Sequence, residues 1–132
     1  MGNLIDRKKF SIRVGSLVFF IFLVNYIALK FHWYSSIWYF DMPMHFMGGL
    51  WLGLVFILIF WGKTFDFNLI LKIVFGVLVI SLGWEVFEIA VNHITIKDSF
   101  NVLDTLSDIF FDLAGGLCAI LYFFKKHINY IK

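Results

Sequence analysis

The chain has 132 residues, of which 61% are hydrophobic and 15% are charged. A soluble domain of this size needs a polar surface that this composition cannot supply, so the composition excludes a soluble globular protein. The formal net charge of +2 does not indicate a nucleic-acid partner, because the basic residues flank hydrophobic runs. A transmembrane helix needs roughly 20 apolar residues, and a few such segments nearly fill the chain. The sequence therefore predicts an all-α integral membrane bundle of four transmembrane helices, with residues 1–132 forming one domain.

The predicted spans are joined by short connections and cover residues 12–29, 42–61, 69–91 and 104–124. The first span follows a basic flank and lacks the small-residue pattern of a cleaved signal peptide. Between the first and second spans lies Lys30–Phe40, with six aromatic residues in eleven. Because Tyr and Trp favour the headgroup level, this stretch predicts an aromatic interfacial segment. Asp41 and Pro43 then suit the N-cap and the first turn of the second span.

The lysines and arginines are distributed unequally between the two sides of the predicted bundle. With the N-terminus inside, nine of the 11 fall on the cytoplasmic side, and only Lys30 and Lys97 fall on the outer side. Cytoplasmic loops of membrane proteins carry such an excess of basic residues. The sequence therefore predicts that the N-terminus and the C-terminus are both cytoplasmic.

The acidic residues show the opposite bias. Seven of the nine fall towards the outer end of the bundle, and they are Asp41, Glu85, Glu88, Asp98, Asp104, Asp108 and Asp112. They occur at the start of the second span, near the end of the third, and at the start of the fourth. In an alternating topology these places lie at the same end. We therefore expect the fold to gather these acids, together with His45, in one pocket near the outer face.

Helical spacing sharpens this expectation. The members of each motif are three or four residues apart, as in Asp41–His45, Glu85–Glu88 and Asp104–Asp108–Asp112. Residues at this spacing share one face of a helix. At 1.5 Å per residue, Asp112 lies about 12 Å along the helix from Asp104, well below the interface. An ionisable side chain at such depth costs at least about 2.5 kcal/mol, so these side chains are expected to face the bundle interior.

Several carboxylates cannot all stay ionised side by side without compensation by shared protons, a bound cation or a cationic group on a ligand. Oxygen ligands with one imidazole suit a divalent cation as cofactor, and Mg, Mn, Ca, Zn and Fe are all compatible. The predicted metal ligands are His45, Glu85, Glu88, Asp108 and Asp112. The predicted catalytic residues are His45, Glu88 and Asp108, and the predicted ligand-binding residues are Asp41, Asp104, Asp112 and Trp84.

Each of these residues also has a structural interpretation. Asp41 and Asp104 suit helix N-caps, and the deeper carboxylates suit hydrogen-bonded links between helices. The glycine pairs Gly48-Gly49 and Gly115-Gly116 most simply permit close helix packing.

The motifs resemble those of a known family. The run Asp41-Met-Pro-Met-His45-Phe46, with Gly48-Gly49 after it, resembles the D-x-x-x-H-F…G signature of the YjdF-type bacterial inner-membrane proteins. Glu85-Val-Phe-Glu88 is similar to that family's E-x-x-E, and Asp104-Thr105-Leu-Ser-Asp108 is similar to its D-T-x-x-D. The order of the motifs is distantly similar to that of the VanZ-like proteins, which are linked to low-level teicoplanin resistance. Their third motif usually carries arginine and asparagine, which are absent here.

The resemblance covers about Phe40–Gly116, with little beyond hydrophobicity in the first span. It implies a compact multi-pass protein of the bacterial cytoplasmic (inner) membrane with these acids as its signature. No reaction is firmly assigned to the family, so the resemblance implies no mechanism.

Three functions are compatible with these residues, and whether the protein is an enzyme stays open. The first is an enzyme or lipid-site protein, whose site a lipid or lipid-linked cell-envelope ligand would enter sideways from the membrane. The aromatic segment could then partly cover the site. No complete catalytic motif such as H-E-x-x-H supports this function. The second is a proton or ion pathway in a homo-oligomer, although the polar residues Asn25, Lys72 and Ser81 are scattered. The third is a non-catalytic accessory role in the envelope or in antibiotic resistance.

Overall fold

The computed structural model describes residues 6–95 and 101–131, apart from the side chains of residues 95 and 127–131. Within these ranges the chain forms helices without a β-strand, and they are α1 (Arg7–Lys30), α2 (Trp33–Ser36), α3 (Asp41–Ile59), α4 (Phe67–Thr95) and α5 (Val102–Ile131). The predicted loop residues Lys97 and Asp98 lie outside the described residues.

Four of these helices, α1, α3, α4 and α5, are long and apolar enough to cross a membrane. This confirms the predicted all-α bundle of four transmembrane helices. Helices α1, α4 and α5 extend beyond the predicted spans at both ends, whereas α3 begins one residue earlier and ends two residues earlier than predicted. Helix α1 begins early because the side chain of Asp6 accepts a hydrogen bond from the backbone N–H of Lys8 (2.9 Å). Large apolar side chains cover the outward faces, as Phe19 (71% exposed) and Phe75 (65%) illustrate. Exposing so much apolar surface to water is unfavourable, whereas the acyl chains of lipids solvate it.

Helices α3 and α5 form the closest pair, because glycines let their backbones touch. A Cβ atom at Gly49 would overlap the backbone carbonyl of Asp112, and one at Gly115 would overlap that of Phe46. A Cβ atom at Gly48, by contrast, would meet nothing within 4 Å. The packing interpretation of the glycine pairs therefore holds for Gly49 and Gly115 and is wrong for Gly48.

The two ends of the bundle differ in charge. We define the acidic end as the end that holds Asp41, Glu88 and Asp104, and the basic end as the opposite end, which holds Lys63 and Lys125. Helix α4 contacts both α3 and α5, and α1 packs against α3. The three helices α3, α4 and α5 therefore enclose the space beneath the acidic end.

The interior towards the basic end is apolar and aromatic. Phe10 of α1 packs against Trp61 and Phe123, with ring centroids 5.3 Å and 6.0 Å apart. At this end the guanidinium of Arg13 donates a hydrogen bond to the hydroxyl of Tyr122 (2.8 Å), which ties α1 to α5. These contacts fix α1 at one end of the bundle.

The predicted aromatic interfacial segment forms the single turn α2 between α1 and α3. His32 precedes it with a left-handed φ of 56°, which turns the chain away from the axis of α1. The hydroxyl of Tyr34 donates a hydrogen bond to Asn25 on α1 (2.7 Å), and its ring packs edge-on against Phe40 (5.0 Å between centroids). Phe40 is the N-cap of α3, so the predicted N-cap at Asp41 is wrong by one position, and Asp41 is the first helical residue.

Candidate functional site

The buried face of α4 changes from apolar to polar along its length. Its buried residues recur every four positions, and they are Leu69, Ile73, Val77, Ser81 and Glu85. Because residues at this spacing share a face, α4 presents aliphatic side chains to the core near the basic end and polar ones near the acidic end. Facing Ser81 and Glu85, the buried polar side chains of α3 and α5 are His45, Asp108 and Asp112.

His45 lies at the centre of this acidic cluster and is 9% exposed. Its Nε2 atom lies 3.6 Å from Oδ1 of Asp41 and 3.6 Å from Oδ2 of Asp108. Its Nδ1 atom lies 3.2 Å from Oδ1 of Asp112. One imidazole ring therefore faces carboxylates from its own helix and from α5.

Asp112 links the imidazole of His45 to Ser81. Its Oδ2 atom accepts a hydrogen bond from the hydroxyl of Ser81 (2.5 Å), and its Oδ1 atom faces Nδ1 of His45. An ionised carboxylate can only accept hydrogen bonds, so this network places an imidazole proton on Nδ1. Nε2 faces Asp41 and Asp108, and in its deprotonated form it could bind a cation between them.

Two sets of side chains could each hold a metal ion. The first set is Asp41, His45 and Asp108, and the second is His45, Glu85 and Glu88. Within each set, the candidate ligand atoms all lie within 4.8 Å of one another. Asp41, which the sequence predicts only as a ligand-binding residue, is thus among the candidate metal ligands. Asp112, a predicted metal ligand, lies behind His45 and belongs to neither set.

Two carboxylate oxygens in the cluster are buried without a hydrogen-bond partner. They are Oδ2 of Asp108 and Oε1 of Glu85, and their residues are 2% and 4% exposed. Burying such an oxygen without a partner costs free energy, so nearly all buried polar atoms are paired. Each of these oxygens therefore has a lone pair inside the cluster to which a cation or a proton could bind.

Asp104 lies outside the buried part of the cluster. It is exposed, one turn before Asp108, and its charge acts on Asp41 and Asp108 from the mouth of the site. Its alternative role as an N-cap is wrong, because the side chain of Asn101 caps α5 by accepting from the backbone N–H groups of Leu103 (3.1 Å) and Asp104 (3.3 Å).

Trp84, a predicted ligand-binding residue, also lies at the edge. It is 53% exposed, on the outward face of α4, where its ring lies 5.5 Å from that of Phe87. Its indole contacts the Glu88 carboxylate one turn later in the helix. Trp84 is therefore a lipid-facing neighbour of the cluster.

Two polar residues near the cluster were not among the predicted site residues. Ser81 binds Asp112, and its position four residues before Glu85 placed it on the same face of α4. Partial burial raises the pKa of Tyr34 above its usual 10.0, and the charges of Asp41 and Glu88 raise it further, so Tyr34 lies within reach of these charges. The sequence feature that could have identified Tyr34 is its place in the aromatic segment, which lies beside the site.

Lys72 is exposed and lies away from the cluster, near the basic end.

An open apolar groove of about 390 Å³ runs beside the same two helices. Its lining side chains are Tyr39, Met42, Pro43, Phe46, Met47 and Phe111. Met42 and Phe46 directly follow Asp41 and His45 in the chain, and Phe111 directly precedes Asp112. The groove therefore lies at the same depth as the cluster.

The fold and the site define a polytopic membrane protein with an acidic and histidine cluster buried near one end of its helices. Residues 5–129 match the family described as "Predicted membrane protein (DUF2238)", and the chain belongs to this family. Neither a search of curated proteins nor a search of solved structures found a match. The family match supports the membrane assignment, while the resemblance to YjdF-type and VanZ-like proteins stays a prediction.

Proposed function

We propose that this protein binds a divalent cation in the acidic cluster and presents it to a lipid or lipid-linked ligand of the cell envelope. The observation that carries the proposal is the first ligand set, in which Nε2 of His45 lies 3.6 Å from carboxylate oxygens of both Asp41 and Asp108. The Asp108 oxygen is buried without a hydrogen-bond partner. A cation among these three atoms would satisfy all of them.

The donor chemistry supports this assignment. Carboxylates with one neutral imidazole suit Mn, Zn or Fe as well as Mg, whereas the absence of thiolates from this donor set disfavours the softest metals. Mutual repulsion of the neighbouring carboxylates also favours a cation, because the charged residues that face His45 are all acidic among those described.

The surroundings of His45 fit a metal ligand. Metal-binding histidines usually donate their second ring N–H to a carboxylate, which fixes the tautomer and aims the other nitrogen at the metal. Asp112 occupies this position, and Ser81 in turn orients Asp112. The role we propose for Asp112 is therefore to position His45.

The apolar groove supports a lipid-like ligand. It opens to the membrane along α3 and α5 at the depth of the cluster, and aromatic and methionine side chains line it. An acyl or isoprenoid chain in the groove would place a polar headgroup near the mouth of the cluster, beside Asp41 and Asp104. Most ligand sites likewise combine an apolar cleft with a few polar groups.

A proton or ion conduit has less support. Between the cluster and the basic end, the described core is aliphatic and aromatic, including Ile73, Leu54 and Ile57. Such a core provides no polar side chains that could bind an ion along a pathway through the bundle. We further propose that the acidic end faces outward from a bacterial cytoplasmic membrane, because the excess of basic residues at the other end predicts a cytoplasmic location for that end.

The proposal is tested by measuring bound metal. The full-length chain is purified in detergent, stripped with a chelator, loaded with Mn²⁺ or Zn²⁺, freed of excess metal and analysed for metal per chain. We expect stoichiometric metal in the wild type and a large loss in His45→Ala and Asp108→Asn. Asp66→Asn is the matched control, because Asp66 lies at the basic end and an asparagine can still accept the hydrogen bond from Leu69. A wild-type chain that retains neither metal, or equal retention in Asp108→Asn and the control, would refute the proposal.

A further inference from the structure

The two candidate ligand sets share one imidazole, that of His45. Asp41 and Asp108 approach His45 from α3 and α5, whereas Glu85 and Glu88 approach it from α4. The candidate ligand atoms of each set lie within 4.8 Å of one another, and His45 is the member that the sets share. The cluster thus offers two adjacent cation positions.

Each position contains its own unpartnered buried oxygen. Asp108, whose Oδ2 is unpartnered, belongs to the first set, and Glu85, whose Oε1 is unpartnered, belongs to the second. Both residues are more than nine-tenths buried, at 2% and 4% exposure. A cation bound by the first set alone would leave the Glu85 oxygen unsatisfied, and a cation bound by the second set alone would leave the Asp108 oxygen unsatisfied.

The charge of the cluster points the same way. If the carboxyl groups of Asp41, Glu85, Glu88, Asp108 and Asp112 are all ionised, they carry five negative charges. With a neutral imidazole, one divalent cation would leave three negative charges in a site of low polarity, and two cations would leave one. Uncompensated charges in the membrane interior are costly, so the second cation removes a substantial electrostatic cost.

We propose that the cluster holds a pair of divalent cations, one held by Asp41, Asp108 and Nε2 of His45 and the other by Glu85 and Glu88. This inference rests on the proposed cation site and extends it. Asp112 holds Nδ1, so the imidazole serves the first cation only, and water would complete the coordination of the second. Paired metal ions of this kind lie about 3.5–4 Å apart.

The test uses Mn²⁺ as the probe, with the full-length chain in detergent or lipid nanodiscs. Metal analysis is expected to give two Mn²⁺ per chain for the wild type and at most one for Glu85→Gln or Asp108→Asn. Low-temperature electron paramagnetic resonance is expected to show a spin-coupled pair in the wild type, and this signal is expected to be lost in both variants. The control variant Asp66→Asn is expected to keep both ions and the coupled signal.

The outcomes separate this inference from the cation site itself. One Mn²⁺ per wild-type chain would overturn the pair and leave the single site standing, whereas no bound Mn²⁺ or Zn²⁺ would refute both. Two ions without spin coupling, or two ions retained by Glu85→Gln, would place the second ion outside the cluster and overturn the pair. Loss of an ion in Asp66→Asn would also overturn it, because the second ion would then lie at the basic end.

Discussion

Nδ1 of His45 lies 3.2 Å from Oδ1 of Asp112, although 67 positions separate the two residues in the chain. This contact joins α3 to α5 at the depth where Gly49 and the backbone of Asp112 touch. It fixes the orientation of the imidazole, and through it the direction of Nε2. The contact between the two helices thus also decides which nitrogen of His45 is available to a ligand.

The first prediction concerns this contact. Replacing Asp112 by Asn removes the charge that holds the Nδ1 proton, so we expect the affinity for Mn²⁺ to fall about 10- to 100-fold, the usual effect of losing such an outer partner. Ser81→Ala is expected to act in the same direction and more weakly, because Asp112 keeps its contact with His45. Competition titrations with a chromogenic chelator measure both effects. Ser16→Ala, at an exposed position on α1, is the control, and equal affinities for Asp112→Asn and this control would argue against the positioning role.

The second prediction concerns the glycines between α3 and α5. Gly49→Ala and Gly115→Ala force the helices apart, and we expect each to lower the free energy of unfolding by about 1–3 kcal/mol or more. Gly48→Ala is the matched control, because its Cβ meets open space and alanine favours a helix by roughly 0.5–1 kcal/mol. Thermal unfolding in detergent compares the three variants. A Gly49→Ala chain as stable as the Gly48→Ala chain would contradict the close approach of the helices.

The third prediction concerns the metal-free protein. Glu85→Gln and Asp108→Asn keep the side-chain size and remove a buried negative charge, so we expect each to raise the melting temperature of the chelator-treated chain. The same variants are expected to lose the gain in stability on adding Mn²⁺, which for one site is about 2.7 kcal/mol at 100 times the dissociation constant. Melting curves with and without Mn²⁺ test both effects. If the amide variants melt lower without metal and respond fully to Mn²⁺, these carboxylates are structural links between helices.

The fourth prediction concerns Tyr34. Its phenol ionises above the usual pKa of 10.0 because of burial and because negative charges on Asp41 and Glu88 disfavour a phenolate. Asp41→Asn and Glu88→Gln are therefore expected to lower the pKa of Tyr34, and so is a bound cation, since each removes or offsets negative charge. The absorbance of tyrosinate, measured as the difference between each chain and its Tyr34→Phe counterpart, follows this single phenol. An unchanged titration in both variants would place α2 away from the cluster.

The fifth prediction concerns orientation in the membrane. Ser35 lies at the acidic end and Thr64 at the basic end, and both are exposed. In a chain whose native Cys118 is replaced by Ala, we expect a membrane-impermeant maleimide to label Ser35→Cys in intact cells. We expect it to label Thr64→Cys only after the membrane is permeabilised. The reverse pattern would show that the acidic end faces the cytoplasm.

Much of the fold follows from local sequence. The apolar runs predict α1, α3, α4 and α5, since a span requires little more than enough consecutive apolar residues. The i,i+3 and i,i+4 spacing of the acids predicts which residues share a helix face, because this spacing is a property of every α-helix. The helix ends were less predictable: Asn101 caps α5 in place of Asp104, since several polar residues compete for one cap position.

What the sequence by itself determined is therefore a membrane bundle with acids and His45 at one end, because these properties depend on composition and helical period alone. The tertiary structure decided which side chains meet: it directed Asp112 and Ser81 towards Nδ1 of His45 and left Asp104 and Trp84 at the edge. The physical reason is that helix rotation and axial position are set by contacts between distant residues. The close approach of the Gly49 and Asp112 backbones is such a contact, and the spacing of residues within one helix does not predict it.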